Sequence, residues 1–218
     1  LNYARSFGDH NVSALALFLR RMNESTLGSN NKKMQFASYE EDWVGRVTYN
    51  CREIYLLEVN AAYTGSEKFA PGTRFGFFPS FSVGWRMSEE PWMKWEPLTN
   101  LKFRYSYGKV GNDRGAQRFN YVQLFNTGGN VFFGRNQDVN FGPLFTEGNS
   151  ANPDATWEVT TKQNLGIELG LYNKFSMTLD LFKEHRSKIL MQRQTMASWF
   201  GGGLPSVNMG ETKNHGME

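Results

Sequence analysis

Few residues in this chain have both the type and the spacing to do chemistry. His10, His185 and His215 lie in separate segments without the spacing of metal ligands. Asp113, Asp138 and Asp154 share one long polar stretch as candidate Ca²⁺ ligands, but their separations do not fit a twelve-residue calcium loop. Glu89-Glu90 reads as a pair of acids stabilising the start of a helical turn rather than as a general acid and base. Gly201-Gly202-Gly203 follows Trp199-Phe200 in the manner of an oxyanion-hole loop, yet no Gly-x-Ser-x-Gly elbow accompanies it. The chain reads as a non-enzyme, with no metal and no cofactor. Net charge is only +3 and the basic residues are interspersed with acidic ones, so no stripe for nucleic acid is expected. With one cysteine, Cys51, there is no internal disulfide, and Cys51 reads as an incidental turn residue.

Recognition chemistry is a better match. The segment 112–156 mixes Phe119, Tyr121, Phe125, Phe132, Phe133 and Phe141 with the amides Asn120, Asn126, Asn130, Asn136 and Gln137. Aromatic faces beside amides suit glycan or peptide ligands when a rigid scaffold carries the loop. Phe119, Tyr121, Phe132 and Phe133, with Trp199 of segment 191–206, are the candidate ligand-binding residues. The alternative is that these aromatics pack the loops onto themselves or onto a partner.

The elements that must carry such loops are strands. Phe175, Met177, Leu179 and Leu181 alternate with Ser176, Thr178 and Asp180, and Leu165, Ile167, Leu169 and Leu171 with Asn164, Gly166, Glu168 and Gly170. Leu101, Phe103, Tyr105 and Tyr107 alternate likewise with Lys102, Arg104, Ser106 and Gly108. Side chains on a strand point alternately to opposite faces, so each stretch has one apolar and one polar side. Nine strands are expected, near 1–7, 12–24, 42–50, 54–64, 75–87, 101–111, 157–171, 174–190 and 207–218. The second is ambiguous, because Leu15, Leu17 and Leu19 alternate with Ala14, Ala16 and Phe18.

Connections alternate between tight turns (Gly8-Asp9-His10-Asn11, Cys51-Arg52-Glu53, around Asn173) and long segments (25–41, 65–74, 112–156, 191–206). That is the parity of a membrane barrel with short turns on one rim and long loops on the other. One short-side connection, 88–100, is longer, with Ser88 placed to cap a helical turn and Trp92 and Trp95 at the interface. Trp43, Trp85, Trp157 and Tyr172, near strand ends, suit interfacial girdles.

The fold expected is all-β, a transmembrane antiparallel β-barrel; a soluble antiparallel sandwich or barrel is the competing reading. No apolar run is long enough for a spanning helix. Arg86, Lys102, Arg104, Glu168, Asp180 and Glu184 all fall on the polar register and are expected to face the lumen. On the lipid side each would cost about 2–4 kcal/mol near the bilayer centre.

From Tyr55 onward the chain resembles the SusC/RagA-type TonB-dependent outer-membrane transporters of Bacteroidetes. The stretches that carry the likeness are Tyr55 to Asn60, Gly65 to Gly72, Phe75 to Ser80, Ser82 to Arg86, Ser88 to Pro91, Leu101 to Gly108 and Gly111-Asn112. Asn152-Pro153, Thr156-Trp157-Glu158, Asn208, Gly210-Glu211, Asn214 and Gly216 to Glu218 follow in order. Thr64, Val110 and Cys51 depart from the usual pattern.

The resemblance implies that residues 1–218 are part of a barrel of about 22 strands filled by a plug, with the plug and TonB-binding segment outside this chain. It implies multi-pass residence in the cell outer membrane and energised import of an oligosaccharide or oligopeptide. The partners implied are TonB, outer-membrane lipid and a SusD-like surface lipoprotein. A passive porin or structural barrel, and a soluble glycan-binding β-protein, are the alternative functions.

Overall fold

The structure, a computed structural model, describes residues 1–24, 37–133, 139–193 and 203–218, with side-chain surroundings for these apart from Phe133 and 139–141. It contains β1 (Asn2–Phe7), β2 (His10–Asn23), β3 (Ser38–Cys51), β4 (Tyr55–Ser66), β5 (Phe75–Arg86), β6 (Leu98–Asn112), β7 (Phe125–Phe133), β8 (Val139–Glu147), β9 (Glu158–Leu171), β10 (Phe175–Gln192) and β11 (Ser206–Met217). Nine of these form one antiparallel sheet in the order β1-β2-β3-β4-β5-β6-β9-β10-β11, and β7-β8 form a separate hairpin. The expected wall strands are therefore all present. Segment 112–156, expected as one loop, instead contains that hairpin. Gly128, Gly129 and Asn130 interrupt any alternation there, and the pairing slips twice.

Local chemistry sets the tight turns. Gly8 takes φ +59° between Phe7 and His10, so only Gly8 and Asp9 lie in the turn. Arg52 and Glu53 both adopt left-handed backbone, held by Glu53 N–H donating to Asn50 Oδ1 (2.7 Å) and Ile54 N–H to Cys51 O (2.9 Å). Arg52 also pairs with Asp9 at 2.7 Å, joining two neighbouring turns, and that carboxylate raises the guanidinium pKa further. The expected helical turn is a single 3-10 turn, Met87–Glu89, following Arg86 rather than capped by Ser88. Glu90 does not sit in its first turn. It accepts hydrogen bonds from Tyr55 Oη (2.5 Å) and Trp85 Nε1 (3.1 Å), so its role is to clamp the connection to β4 and β5.

Very little of the chain is buried. The apolar register of the wall stays open: Phe175 is 54 % exposed, Met177 45 %, and Leu165 and Leu181 42 % each. A soluble sandwich would cover such a face with a second sheet; among the described residues the other sheet is the two-stranded β7–β8 hairpin. The ambiguity of β2 is settled by register, which pairs Phe18 with Trp43, ring centroids 4.3 Å apart, on the apolar face. Leu15, Leu17 and Leu19 are consequently left on the other face, opposite Arg46, Val44 and Asp42.

The buried cluster lies at the long-loop rim. Phe69 is fully buried, with Trp157, Ala155 and Ala116 around it and Phe78 and Leu190 against it. It fills the place where β5 and β6 separate: their pairing stops at Ser80–Gly108, next to Pro79, which has no N–H to continue the ladder. Phe78 then swings to Gly111, where any Cβ would collide with its ring. Trp157, expected in an interfacial girdle, is instead buried here and donates to Arg74 O at 3.0 Å.

Candidate functional site

Two places gather polar chemistry, one on the charged face of the wall and one at the long-loop rim.

On the wall, β6, β9 and β10 are in continuous register, with Arg104 opposite Gly166 and Gly166 opposite Asp180. The Arg104 side chain lies across Gly166, in space that a Cβ would occupy, and reaches the next strand but one. There Nη2 donates to Asp180 Oδ1 (2.8 Å) and Oδ2 (2.7 Å). Glu168 joins from the side, 3.4 Å from Lys102 Nζ and 3.6 Å from Arg104 Nε. Lys102, Arg104, Glu168 and Asp180 thus form one network. Glu184 is in a second, with Lys162 (3.9 Å) and Arg186 (4.0 Å), while Arg86 pairs alone with Glu53 (3.6 Å). Arg46–Glu58 (2.9 Å) and Arg186–Glu158 (3.4 Å) extend the pattern on positions that sequence reading did not single out.

The glycine tests this arrangement. Gly166→Val displaces Arg104 and costs about 1–3 kcal/mol, the range for a lost charged hydrogen bond left with a desolvated partner. In an Arg104→Ala background the same substitution costs less than half as much. Denaturant unfolding of the full-length barrel in detergent measures both; equal costs in the two backgrounds contradict the arrangement.

At the rim, the segment after β6 crosses back over the β4–β5 connection. Asp113 accepts from Ser66 Oγ (2.8 Å) and pairs with Lys68 (3.2 Å), so it braces this crossing. Asp138 lies outside the described residues. Arg118 pairs with Glu67 at 2.6 Å and donates to Ala37 O at 3.1 Å. These contacts roof a cleft of about 450 Å³ whose aromatic lining is Tyr39, Phe75, Phe119 and Tyr121, with Arg20 and Arg74 among its charged groups. Two candidate ligand-binding residues, Phe119 and Tyr121, are therefore brought together. Phe119 holds a left-handed backbone (φ +62°), and the Arg118 guanidinium sits 5.2 Å from its ring centroid.

Phe132 is exposed on the β7–β8 hairpin and does not line the cleft. Phe133 is a β7 residue whose side chain lies outside the described set, and Trp199 lies outside the described residues. Tyr39 and Phe75 were missed because each reads locally as one more alternating wall residue; only the pairing of Glu41 with Gly65 and of Gly65 with Phe75 brings β3 and β5 to one cleft.

Long-range stitches complete the rim. Asn152 Nδ2 donates to Ser206 O (2.6 Å), Thr156 N–H to Asn208 Oδ1 (2.9 Å), and Asn208 Nδ2 to Thr156 O (2.8 Å) and Lys188 O (2.7 Å).

A family model described as TonB dependent receptor-like, beta-barrel, matches residues 20–218. The TonB-dependent receptor P3 of Formosa agariphila is 28 % identical over all of the chain, which covers 24 % of that protein. TonB-dependent receptor SusC of Bacteroides thetaiotaomicron is 26 % identical over 81 % of the chain, covering 18 % of SusC. Among solved structures, the RagAB peptide importer in its closed-closed state aligns with TM-score 0.78 at 17 % identity, over 99 % of this chain and 26 % of that one. The open-open state of the same importer aligns with TM-score 0.79 at 18 % identity. The chain spans about a quarter or less of the length of these relatives.

Proposed function

The chain belongs to the family of TonB-dependent receptor-like β-barrels, transporters and receptors of the outer membrane rather than enzymes, and from that premise we propose that it forms part of the wall of an energised nutrient importer of the SusC type. The observation that carries the reading is the open apolar register on one face of the nine-stranded sheet and the ion-paired register on the other. The apolar face meets lipid. The face bearing Arg86, Lys102, Arg104, Glu168, Asp180 and Glu184 lines the lumen, and residues 1–218 are barrel only, with plug and TonB-binding segment elsewhere in the parent protein. Charges paired within the wall leave it polar and rigid, which suits a surface against which a plug must seat and from which it must release.

The cargo is an oligosaccharide or oligopeptide, received at the long-loop rim with a SusD-like surface lipoprotein as lid. Phe119 and Tyr121 support this from the loop side, because flat rings beside the Arg118 guanidinium and the Glu67 carboxylate bind sugar faces and peptide side chains alike, while the strand residues of the same cleft, Tyr39 and Phe75, lie on the outer register above the apolar band. Energy reaches the barrel through TonB.

Uptake in cells tests the proposal. Deleting the gene abolishes import of one such oligomer, and inactivating TonB abolishes it equally; import that persists without TonB identifies a passive porin. Phe119→Ala with Tyr121→Ala raises the half-saturating substrate concentration about tenfold, the value of losing aromatic contacts worth roughly 1.4 kcal/mol, at unchanged surface abundance. An unchanged half-saturation returns these aromatics to loop packing.

A further inference from the structure

On β10 the apolar register Phe175, Met177, Leu179, Leu181 changes character abruptly and continues as Lys183 and His185. Strand pairing carries the change across four strands. One ladder row reads Lys109, Thr161, His185, Lys213; the row beneath it reads Tyr107, Gln163, Lys183, His215. The next row towards the tight turns is Tyr105, Leu165, Leu181, Met217, part of the apolar band. All these positions share one face, and with strands about 4.8 Å apart the two polar rows form a patch about 14 Å wide. His185 and His215, far apart in sequence, become diagonal neighbours in it.

Every side chain of the two rows can donate a hydrogen bond. The nearest acid on that face is Glu211, 3.5 Å from His185 Nε2. Lys109, Lys183, Lys213 and His215 are exposed, and among the described residues none of the three lysines is in an ion pair. The contrast with the opposite face is sharp, since Lys102, Arg104 and Lys162 there are all matched to carboxylates. Elsewhere on the apolar face Arg20 stands directly opposite Glu41. Among the described residues the lysines of this face without an ion pair are thus gathered in one sector, on the long-loop side of the apolar band, while Arg5, at the tight-turn end of β1, lies 4.6 Å from the Phe7 ring.

We propose that this patch binds the phosphate groups of anionic lipid in the outer leaflet, with the acyl chains lying on Leu165, Leu181 and Met217 just beneath. The inference rests on the reading that the apolar register faces lipid. A cargo travelling through the lumen would not meet it, because it lies on the opposite side of the wall. Its occupant must combine an anion above with hydrocarbon below, which a soluble acidic protein does not.

The test uses the full-length protein in detergent, titrated with bisphosphorylated lipid A and followed by native mass spectrometry. The wild type binds this lipid at least tenfold more tightly than enzymatically dephosphorylated lipid A, a comparison that needs no variant. Lys109→Gln, Lys183→Gln and Lys213→Gln together weaken binding about tenfold or more, since each lysine near an anionic surface is worth up to about fivefold. Lys94→Gln with Lys174→Gln, on the tight-turn rim, changes nothing. Equal binding of the two lipids, an unaffected triple variant, or inorganic phosphate alone binding as tightly as bisphosphorylated lipid A overturns the proposal. Flotation with outer-membrane vesicles is scored separately: a wild-type protein that stays in the soluble fraction refutes the membrane reading itself.

Discussion

Replacing Ile167 with arginine destabilises the full-length barrel in phospholipid vesicles by about 2–4 kcal/mol, whereas Thr178→Arg changes stability by no more than about 0.5 kcal/mol. The two positions are close in the sheet and opposite in facing. Ile167 pairs with Phe103 and Leu179 and has Leu165 and Leu169 above and below it on the same face, so every direction along that face is apolar. A guanidinium there must either desolvate in hydrocarbon or drag water into it. Thr178 pairs with Glu168 on the charged face, where a new arginine finds a carboxylate partner and water. Urea unfolding from vesicles reads the difference directly. Costs of similar size at the two positions would mean that the faces are not divided between lipid and water.

Phe69→Ala removes the one large side chain that is fully buried among the described residues, and its cost is expected to be about 3–5 kcal/mol, confined to the long-loop rim. Phe69 packs 5.3 Å from the Trp157 ring, which in turn meets Phe78 at 5.4 Å. That small core holds the β4–β5 connection, the segment after β6 and the entry to β9 together where the β5–β6 ladder has ended. Losing the ring leaves a cavity between segments that have few other buried contacts. Amide exchange in 66–74, 113–117 and 155–157 should therefore accelerate by about a hundredfold or more, while β9 and β10 around Leu165 and Leu181 keep their protection. Uniform acceleration along the wall would place the rim core in the barrel's global stability instead.

Much of the wall was legible because a barrel strand repeats a two-residue rule that no other element imitates for long. The stretch expected at 75–87 is Phe75–Arg86, and the one expected at 174–190 is Phe175–Gln192. Alternation failed at β2, where both registers are apolar: only the neighbour's Trp43 tells Phe18 which way to face. It failed again in β7 and β8, whose glycines and asparagines read as loop. The facing of Arg104 and Asp180 could be read, but not their pairing. That depends on β6 meeting β9 after the excursion through 113–157, and on the glycine lying between them. The rim cleft was half legible for the same reason. Phe119 and Tyr121 stand out in a loop, while Tyr39 and Phe75 belong to strands and come to line the same cleft only by juxtaposition.

Spin labels at single cysteines introduced in turn from 175 to 182, in a Cys51→Ser background of the full-length protein, test the division of the two faces most directly. With the barrel in bilayers, collision with dissolved oxygen should peak at 175, 177, 179 and 181, and collision with a water-soluble nickel chelate at 176, 178, 180 and 182. A reversed alternation, or equal access of the chelate to both sets, would contradict a wall with hydrocarbon on one side and water on the other.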